Sequence, residues 1–158
     1  MSREIKLTQG QVAIIDDEDY EWLSQWKWYA RKSRNIWYAV RQEWENGRQK
    51  QIHMHREILK PPIGMETDHR DRNGLNNQRN NLRIATRIQN TRNRKANQNG
   101  TSTFKGVFWN PAHDKWQAQI RVKRQRIHLG YFPCEMDAAR TYDKAAKEYF
   151  GEFACINF

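Results

Sequence analysis

The C-terminal part of the chain changes its hydrophobic period from that of a strand to that of a helix, which limits the folds open to it. Apolar and polar side chains first alternate, as in half-buried strands, with the apolar positions at Trp116, Ala118, Ile120, Val122, Ile127 and Leu129. Residues 104–109 form a third candidate strand. From Glu135 the pattern becomes helical, with Ala139, Tyr142, Ala146 and Tyr149 as core positions on one face. Gly151 is a natural helix end, so this segment predicts three strands followed by one helix.

Composition narrows the class of protein further. Only 37% of the 158 residues are hydrophobic, below the roughly 45–50% typical of soluble domains, which favours small separate cores over one large core. Aromatic residues, 12% of the chain, argue against disorder. No apolar run is long enough to span a membrane, no secretion signal is evident, and Cys134 and Cys155 cannot build a four-cysteine zinc site. We expect a cytoplasmic protein with no membrane partner.

The net charge of +10 is distributed unevenly. Residues 61–100 carry 8 basic and 3 acidic side chains, which is half of the excess. A small basic protein most often binds a polyanion, so nucleic acid is the first candidate. An anionic membrane surface is the second, but it requires a basic amphipathic helix, which these stretches do not predict.

Residues 1–51 predict a β-rich extension with one helix. Asp16 or Asp17 is the expected helix cap, and the helix runs to about Gln25. Trp28–Val40 and Gln51–Met54 have the composition of strands. The tryptophans of this region favour a compact core over a ligand cage: Trp22, Trp26, Trp28, Trp37 and Trp44.

The middle of the chain changes character after a Pro-Pro pair. Residues 71–81 are rich in Asn and predict an irregular loop, and Leu82–Ala85 predicts a short strand. Thr86 and Gln89 have the spacing of a capping box, so a helix is expected to begin there. Residues 96–103 are polar and contain glycine, which is typical of a linker.

Four polar residues of this middle segment have the chemistry of a one-metal phosphodiester hydrolase. Asp68 and the Asn90 carbonyl supply the oxygen ligands that hard divalent cations prefer. His69 can take a proton from an attacking water, and Asn81 can hold the imidazole through its other nitrogen. The alternative is structural, because Asn-rich loops also supply turns and bonds from side chain to backbone.

Several spaced motifs occur in order within residues 52–95. They are Met54-His55-Arg56-Glu57-Ile58, Thr67 to Asn77, Asn80-Asn81-Leu82-Arg83 and Gln89-Asn90. Together they resemble the HNH homing endonucleases of phage and intron type. The resemblance implies a ββα-metal fold around one divalent ion, Mg²⁺ or alternatively Mn²⁺. It implies Asp68 as a metal ligand, His69 as the general base and Asn81 as the residue that orients His69. It makes Asn90 the second ligand, at a place where many members have His.

Other polar residues of this segment have two possible roles. His55 is either an extra site residue or a packed strand histidine, and we favour the second; His53 is expected at the surface or in a turn. The basic residues form either a solvated helix face or a set of phosphate contacts, and a phosphodiester substrate favours the contacts. These basic residues are Arg83, Arg87, Arg92, Arg94 and Lys95.

Motifs within residues 102–158 include Phe104-Lys105-Gly106-Val107, Leu129-Gly130-Tyr131-Phe132 and Ile156-Asn157-Phe158. They resemble the AP2 DNA-binding domain. The resemblance implies a three-stranded sheet whose exposed face lies in the major groove, with a helix behind it. The DNA-contact candidates on that face are Lys105, Gln119, Arg121, Arg126 and His128. Phe108 and Asn110 stand where Arg is usual and His128 where Trp is usual, so the family's base preference is not implied.

The sequence therefore predicts an α+β protein with a β-rich extension (1–51), an HNH nuclease motif (52–95), a linker (96–103) and an AP2-like domain (104–158). The expected function is metal-dependent nicking or cleavage of double-stranded DNA by a phage or mobile-element homing-type enzyme, with no obligate protein partner. The main alternative is a non-catalytic, sequence-specific DNA-binding regulator. An RNA-binding protein is disfavoured, because side chains cannot read the deep, narrow major groove of A-form RNA.

Overall fold

The computed structural model describes residues 1–33, 35–96 and 100–158. These residues form ten strands in four small antiparallel sheets, together with four α-helices, so the predicted α+β class is confirmed. The chain divides into two compact units, Met1–Asn90 and Thr91–Phe158. No α-helix within the described ranges is long and apolar enough to cross a membrane.

The N-terminal unit begins with two small sheets and two helices. Its first elements are β1 (Ser2–Lys6), β2 (Val12–Asp16), α1 (Asp17–Leu23), β3 (Tyr29–Ser33), β4 (Ile36–Glu45), β5 (Arg48–His53) and α2 (Met54–Leu59). Strands β1 and β2 pair with each other, and β4 lies between β3 and β5. The helix expected after Asp16 is present, and three acidic residues occupy its first turn, where they interact favourably with the helix dipole.

Two strand predictions in this unit are corrected by the structure. The segment Trp28–Val40 is not one strand but parts of β3 and β4, and residue 34 between them lies outside the described residues. Met54 was expected to end a strand, but it begins α2 instead. Met54 and Ile58 lie four residues apart, on one face of this helix, and both are buried in the core.

One hydrophobic core joins the N-terminal extension to the middle segment. Its buried residues are Ile5, Ala13, Ile15, Leu23, Trp28, Ala39, Met54, Ile58, Leu75 and Leu82. Trp22 and Trp37 pack against this core, but Trp26 and Trp44 are exposed, so the predicted tryptophan core is wrong for these two. Trp44 lies at the turn end of the long β4–β5 hairpin, and Trp26 stacks with the Arg41 guanidinium at 4.3 Å.

A second hairpin and a short helix follow. They are β6 (Glu66–His69), β7 (Leu82–Ala85) and α3 (Arg87–Arg92). The predicted strand and capping box are both confirmed. The Thr86 N–H donates to Gln89 Oε1 at 2.8 Å, and the Gln89 N–H donates to Thr86 Oγ1 at 3.3 Å. These two bonds fix the start of α3.

The C-terminal unit contains three strands followed by one helix. They are β8 (Val107–Asn110), β9 (Lys115–Val122), β10 (Gln125–Phe132) and α4 (Glu135–Phe150). Strand β9 lies between β8 and β10. Tyr142 is buried as predicted, but Tyr149 is exposed and the adjacent Phe150 occupies the buried position in the last turn. The helix ends at Gly151, as predicted, where φ is +54°.

Gly106 is required by its backbone and by its neighbours. Its φ is +77°, and a Cβ there would lie 2.0 Å from the Tyr142 ring and 2.7 Å from the Gln119 carbonyl oxygen. The Gln119 N–H donates to the Gly106 carbonyl oxygen at 2.9 Å. The chain therefore needs a glycine to pass between β9 and α4 just before β8.

Part of the predicted linker is bonded into the C-terminal unit. Residues 97–99 lie outside the described residues. The Trp109 N–H donates to Thr101 Oγ1 and the Phe104 N–H donates to Ser102 Oγ, both at 2.9 Å. Ser102 is buried. The end of this segment is thus fixed to β8, and the exact segment boundaries stay predictions.

Candidate functional site

Hairpin β6–β7 places Asp68 directly opposite Arg83. Arg83 Nε and one terminal nitrogen lie 2.8 and 2.7 Å from Asp68 Oδ2, and the two residues are only 7% and 5% exposed. Facing positions of an antiparallel pair bring side chains within reach of each other, so the register itself creates this ion pair. Arg83 lies on the strand that the sequence predicts for Leu82–Ala85, and its charge is paired inside the protein. Its role as a phosphate contact stays a prediction.

Glu66 connects the same strand to the predicted second metal ligand. Asn90, on α3, donates from Nδ2 to Glu66 Oε2 at 2.6 Å. Glu66 lies two residues before Asp68, so both carboxylates occupy one face of β6. The sequence interpretation missed Glu66, although the period-two alternation around Asp68 could have identified it.

His69 is the last residue of β6, and its ring is buried. Its Nε2 lies 3.4 Å from Asn77 Oδ1, and its ring centroid lies 4.9 Å from that of His55. Burial lowers the pKa of His69, while the Asn77 contact and the carboxylates of Asp71 and Asp68 partly oppose that shift. The imidazole is therefore held in the neutral form, which is the form that can accept a proton.

Two further histidines extend this cluster. His55 is buried, as the favoured interpretation held, but it lies on α2 rather than on a strand. His53 is half-buried instead of at the surface, and its ring lies 5.2 Å from that of His55. Burial and the neighbouring His69, His53 and Arg56 hold the pKa of His55 well below its usual range. Within the described part of the chain, Nδ1 of His53 and of His55 has no hydrogen-bond partner.

Asn81 stabilises the loop between β6 and β7 through side-chain hydrogen bonds. Its Nδ2 donates to Asp71 Oδ1 at 2.9 Å and to the Asn76 carbonyl oxygen at 2.8 Å, and its Oδ1 accepts from the Asp71 N–H at 3.0 Å. Asp71 Oδ2 also accepts from Asn76 Nδ2 at 2.8 Å. The role of orienting His69 stays a prediction for Asn81, whereas Asn77, to which the sequence interpretation gave no role, contacts the imidazole directly.

The donor set around β6 fits a hard divalent cation. Asp68, Glu66 and the Asn90 carbonyl provide oxygen atoms, and Mg²⁺ in proteins is usually held by one or two carboxylates, with water and phosphate completing its shell. Among the residues that the structure describes, no group of three or more His, Cys, Asp or Glu side chains is arranged to hold a metal ion. A site built mainly from protein ligands, as for structural zinc, is therefore not supported there.

The other predicted phosphate contacts differ in exposure. Arg87, Arg94 and Lys95 are exposed. Arg92 is half-buried, and its guanidinium lies 4.4 Å from the centre of the Phe150 ring. Arg92 therefore has a packing role in the C-terminal unit.

The outer face of the C-terminal sheet has the predicted phase. Arg121 faces Arg126, and Gln119 faces His128, while Ile120 between them is buried. A row of polar side chains crosses this face. Gln117 Oε1 accepts from Asn110 Nδ2 at 2.8 Å, and Gln117 Nε2 lies 3.0 Å from His128 Nδ1. The four predicted contacts on β9 and β10 thus share one surface.

Lys105 does not belong to this surface. It precedes β8 and is half-buried, and its ammonium group donates to the carbonyl oxygens of Arg92 and Arg94. The predicted place of Lys105 on the sheet face is therefore corrected: the residue caps carbonyl groups at the end of α3, where a cation is stabilising. Its contact with DNA stays a prediction.

Comparison with known proteins decides the family. The chain is 33% identical over 156 residues to an uncharacterized HNH endonuclease of Acanthamoeba polyphaga mimivirus, and the match covers 94% of this chain and 76% of that protein. The chain belongs to the HNH endonuclease family. No family model matches it.

Plant proteins match a shorter part of this HNH family member. A rice AP2/ERF and B3 domain-containing protein is 47% identical over 58 residues, which is 37% of this chain and 16% of that protein. An Arabidopsis dehydration-responsive element-binding protein 2A is 39% identical over 66 residues, which is 39% of this chain and 18% of that protein. An AP2-like domain thus accompanies the HNH region in this chain.

Proposed function

We propose that the protein is a metal-dependent endonuclease that nicks or cuts double-stranded DNA, with an AP2-like C-terminal sheet holding the substrate. The arrangement around β6 carries this proposal: Asp68 and Glu66 share one face, Glu66 fixes Asn90, and buried His69 ends the strand. The order β6, β7, α3 agrees with the ββα-metal motif that the family resemblance implies. A phage or mobile-element homing role in a bacterial cytoplasm is part of the same proposal.

Different residues of the chain have different roles in the proposed reaction. An ion such as Mg²⁺ or Mn²⁺, held by Asp68 and Asn90, would stabilise the negative charge that develops on the scissile phosphate. Glu66 keeps the Asn90 amide in one orientation, which gives its carbonyl oxygen a fixed direction. Neutral His69 takes the proton of the attacking water. One such site acts on one strand, so a double-strand break requires a second chain or a second event.

A non-catalytic DNA-binding regulator is the second candidate, and one contact favours it. The Arg83 guanidinium neutralises the Asp68 carboxylate inside the protein. If that pair persists on DNA, Asp68 serves folding rather than metal binding. Such a protein would bind duplex DNA through its C-terminal sheet and leave the strands intact.

A plasmid assay separates the two candidates. We expect the full chain to relax supercoiled plasmid with Mg²⁺ or Mn²⁺ but not with EDTA. His69→Gln, which leaves the Asp68–Arg83 pair in place, should slow relaxation by about 10²–10⁴-fold and still retard the plasmid on a gel. The control is Asn80→Ala, at an exposed position beside Asn81, which should keep the wild-type rate. A wild-type protein that retards the plasmid but never relaxes it with either metal would favour the regulator.

A further inference from the structure

Asn77 is a fully buried amide that connects strand β2 to His69. Its exposed fraction is 0%. Its backbone N–H donates to the Ile14 carbonyl oxygen at 2.7 Å, and the Ile14 N–H donates to the Leu75 carbonyl oxygen at 2.8 Å. Strand β2 of the N-terminal extension therefore holds the loop backbone on both sides of Asn76.

The side chain of Asn77 has a defined orientation. Its Nδ2 donates to the Leu75 carbonyl oxygen at 3.2 Å. Because the amide nitrogen is used in that direction, the oxygen is the atom that lies 3.4 Å from His69 Nε2. An amide oxygen can only accept a hydrogen bond, so this contact favours the tautomer with the proton on Nε2. In a neutral imidazole with the proton on Nε2, the lone pair is on Nδ1.

The surroundings keep both groups in place. The His55 ring meets the His69 ring edge to face, and Tyr38 lies on another side at 6.1 Å between ring centroids. The loop also lies tightly on β4, because a Cβ on Gly74 would be 2.4 Å from the Trp37 carbonyl oxygen and 2.7 Å from the Tyr38 ring. The loop that carries Asn77 is thus held close to β4, and the His69 ring lies beside two other rings.

We propose that Asn77, held by β2, is a positioning residue that fixes His69 as the Nε2–H tautomer and directs its Nδ1 lone pair to the attacking water. The N-terminal extension is then a working part of the nuclease site. The catalytic half of this inference rests on the proposed function, whereas the tautomer does not depend on it.

Two matched variants test the role of the Asn77 side-chain oxygen as the hydrogen-bond acceptor of His69. Asn77→Leu and Asn77→Asp both lose the bond to the Leu75 carbonyl, but only Asp keeps an oxygen facing His69. We expect ¹⁵N NMR of the full chain at about pH 8, where histidine is neutral, to report the Nε2–H tautomer of His69 in the wild type and in Asn77→Asp. Asn77→Leu should show loss of that tautomer preference. The His69 signals are assigned by their disappearance in His69→Gln, and dispersed amide spectra show that each variant is folded.

Nicking kinetics give the second readout. Asn77→Leu should lower kcat by about 10- to 100-fold with KM unchanged, the loss typical of a residue that orients a functional histidine, and Asn77→Asp should recover most of it. An Nδ1–H tautomer in the wild type, or an unchanged tautomer in Asn77→Leu, would overturn the proposal. So would equal kcat for the two Asn77 variants. If the wild type does not nick at all, the proposed function fails and the NMR result still decides the tautomer.

Discussion

Arginines lie on paired antiparallel strands in both units, but their surroundings differ. In hairpin β6–β7, Arg83 faces Asp68, and both side chains are buried. In the C-terminal sheet, Arg121 faces Arg126, and both are exposed. The first pair balances its charges within the protein. The second sets like charges opposite each other, which destabilises a sheet.

This difference distinguishes an arginine whose charge stabilises the fold from an arginine whose charge can bind a ligand. Net charge counts Arg83 and Arg121 equally, although only the second can meet a phosphate without leaving a buried carboxylate behind. The unfavourable Arg121–Arg126 pairing is relieved when a polyanion lies on the sheet, because phosphate charge then compensates both side chains. The opposed arginines therefore support the DNA-binding half of the proposed function.

Matched substitutions at the two arginines test this comparison directly and have the largest expected effect. Arg83→Met should destabilise the N-terminal unit by about 3–5 kcal/mol, because it leaves Asp68 buried without its partner. Arg121→Met should change stability by less than about 0.5 kcal/mol, as exposed substitutions do. Urea unfolding gives the free energies, and hydrogen exchange at β6 and β7 assigns the transition to the N-terminal unit.

DNA affinity should show the opposite order, with a larger loss in Arg121→Met than in Arg83→Met. Arg121→Met should weaken duplex binding by about 1–3 kcal/mol if the guanidinium reads a guanine. Arg140→Met, at an exposed position on α4, is the control and should bind as the wild type does. A stable Arg83→Met protein with reduced DNA affinity would reverse the comparison and support the prediction that Arg83 contacts phosphate.

The parts of the fold that sequence predicted correctly depend on local physics. The capping box at Thr86 and Gln89 and the helix end at Gly151 each need only a few neighbouring residues. The buried phase of β9 follows from strict alternation around Ile120. The start of α2 was missed, because apolar residues two and four positions apart, such as Ile52, Met54 and Ile58, fit a strand as well as a helix until the core is known.

The candidate site was less predictable, because its contacts depend on register and on distant segments. Asp68 meets Arg83 only because β6 and β7 pair in one particular register. Asn77 reaches His69 because β2, more than sixty positions earlier in the chain, holds the loop. Asn-rich motifs identified the loop but could not distinguish its structural amides, such as Asn81, from the one that contacts the imidazole.

The histidines extend the comparison of the two units to the pH dependence of stability. We expect an effect of intermediate size. His55 in the N-terminal unit is buried and faces His53, His69 and Arg56, all of which lower its pKa, whereas His128 on the C-terminal sheet is exposed. Below pH 6.5 the unfolded chain protonates at position 55 and the folded chain does not. Stability of the N-terminal unit should therefore fall as pH falls below 6.5, at up to about 1.4 kcal/mol per pH unit for this group.

Two variants isolate the contribution of His55. His55→Phe keeps an aromatic ring against His69 and should reduce the pH dependence of unfolding, leaving the smaller part due to His53 and His69. His128→Gln, at an exposed position of the C-terminal unit, is the control for replacing a histidine outside the N-terminal unit. Urea unfolding at several pH values between about 5 and 8 measures the slopes. Equal slopes in the wild type and His55→Phe would contradict the buried, neutral state of His55.

Two lysines give the smallest and most specific test, through the salt dependence of DNA binding. Lys115 is exposed on β9, whereas the Lys105 ammonium is already bonded to the Arg92 and Arg94 carbonyl oxygens. A phosphate contact releases about one counterion, so Lys115→Ala should reduce the slope of log K against log salt by about one. Lys105→Ala should leave that slope unchanged, since its charge serves the end of α3. Affinity measured at several salt concentrations decides between the two lysines. A reduced slope in Lys105→Ala alone would mean that Lys105, not Lys115, contacts DNA.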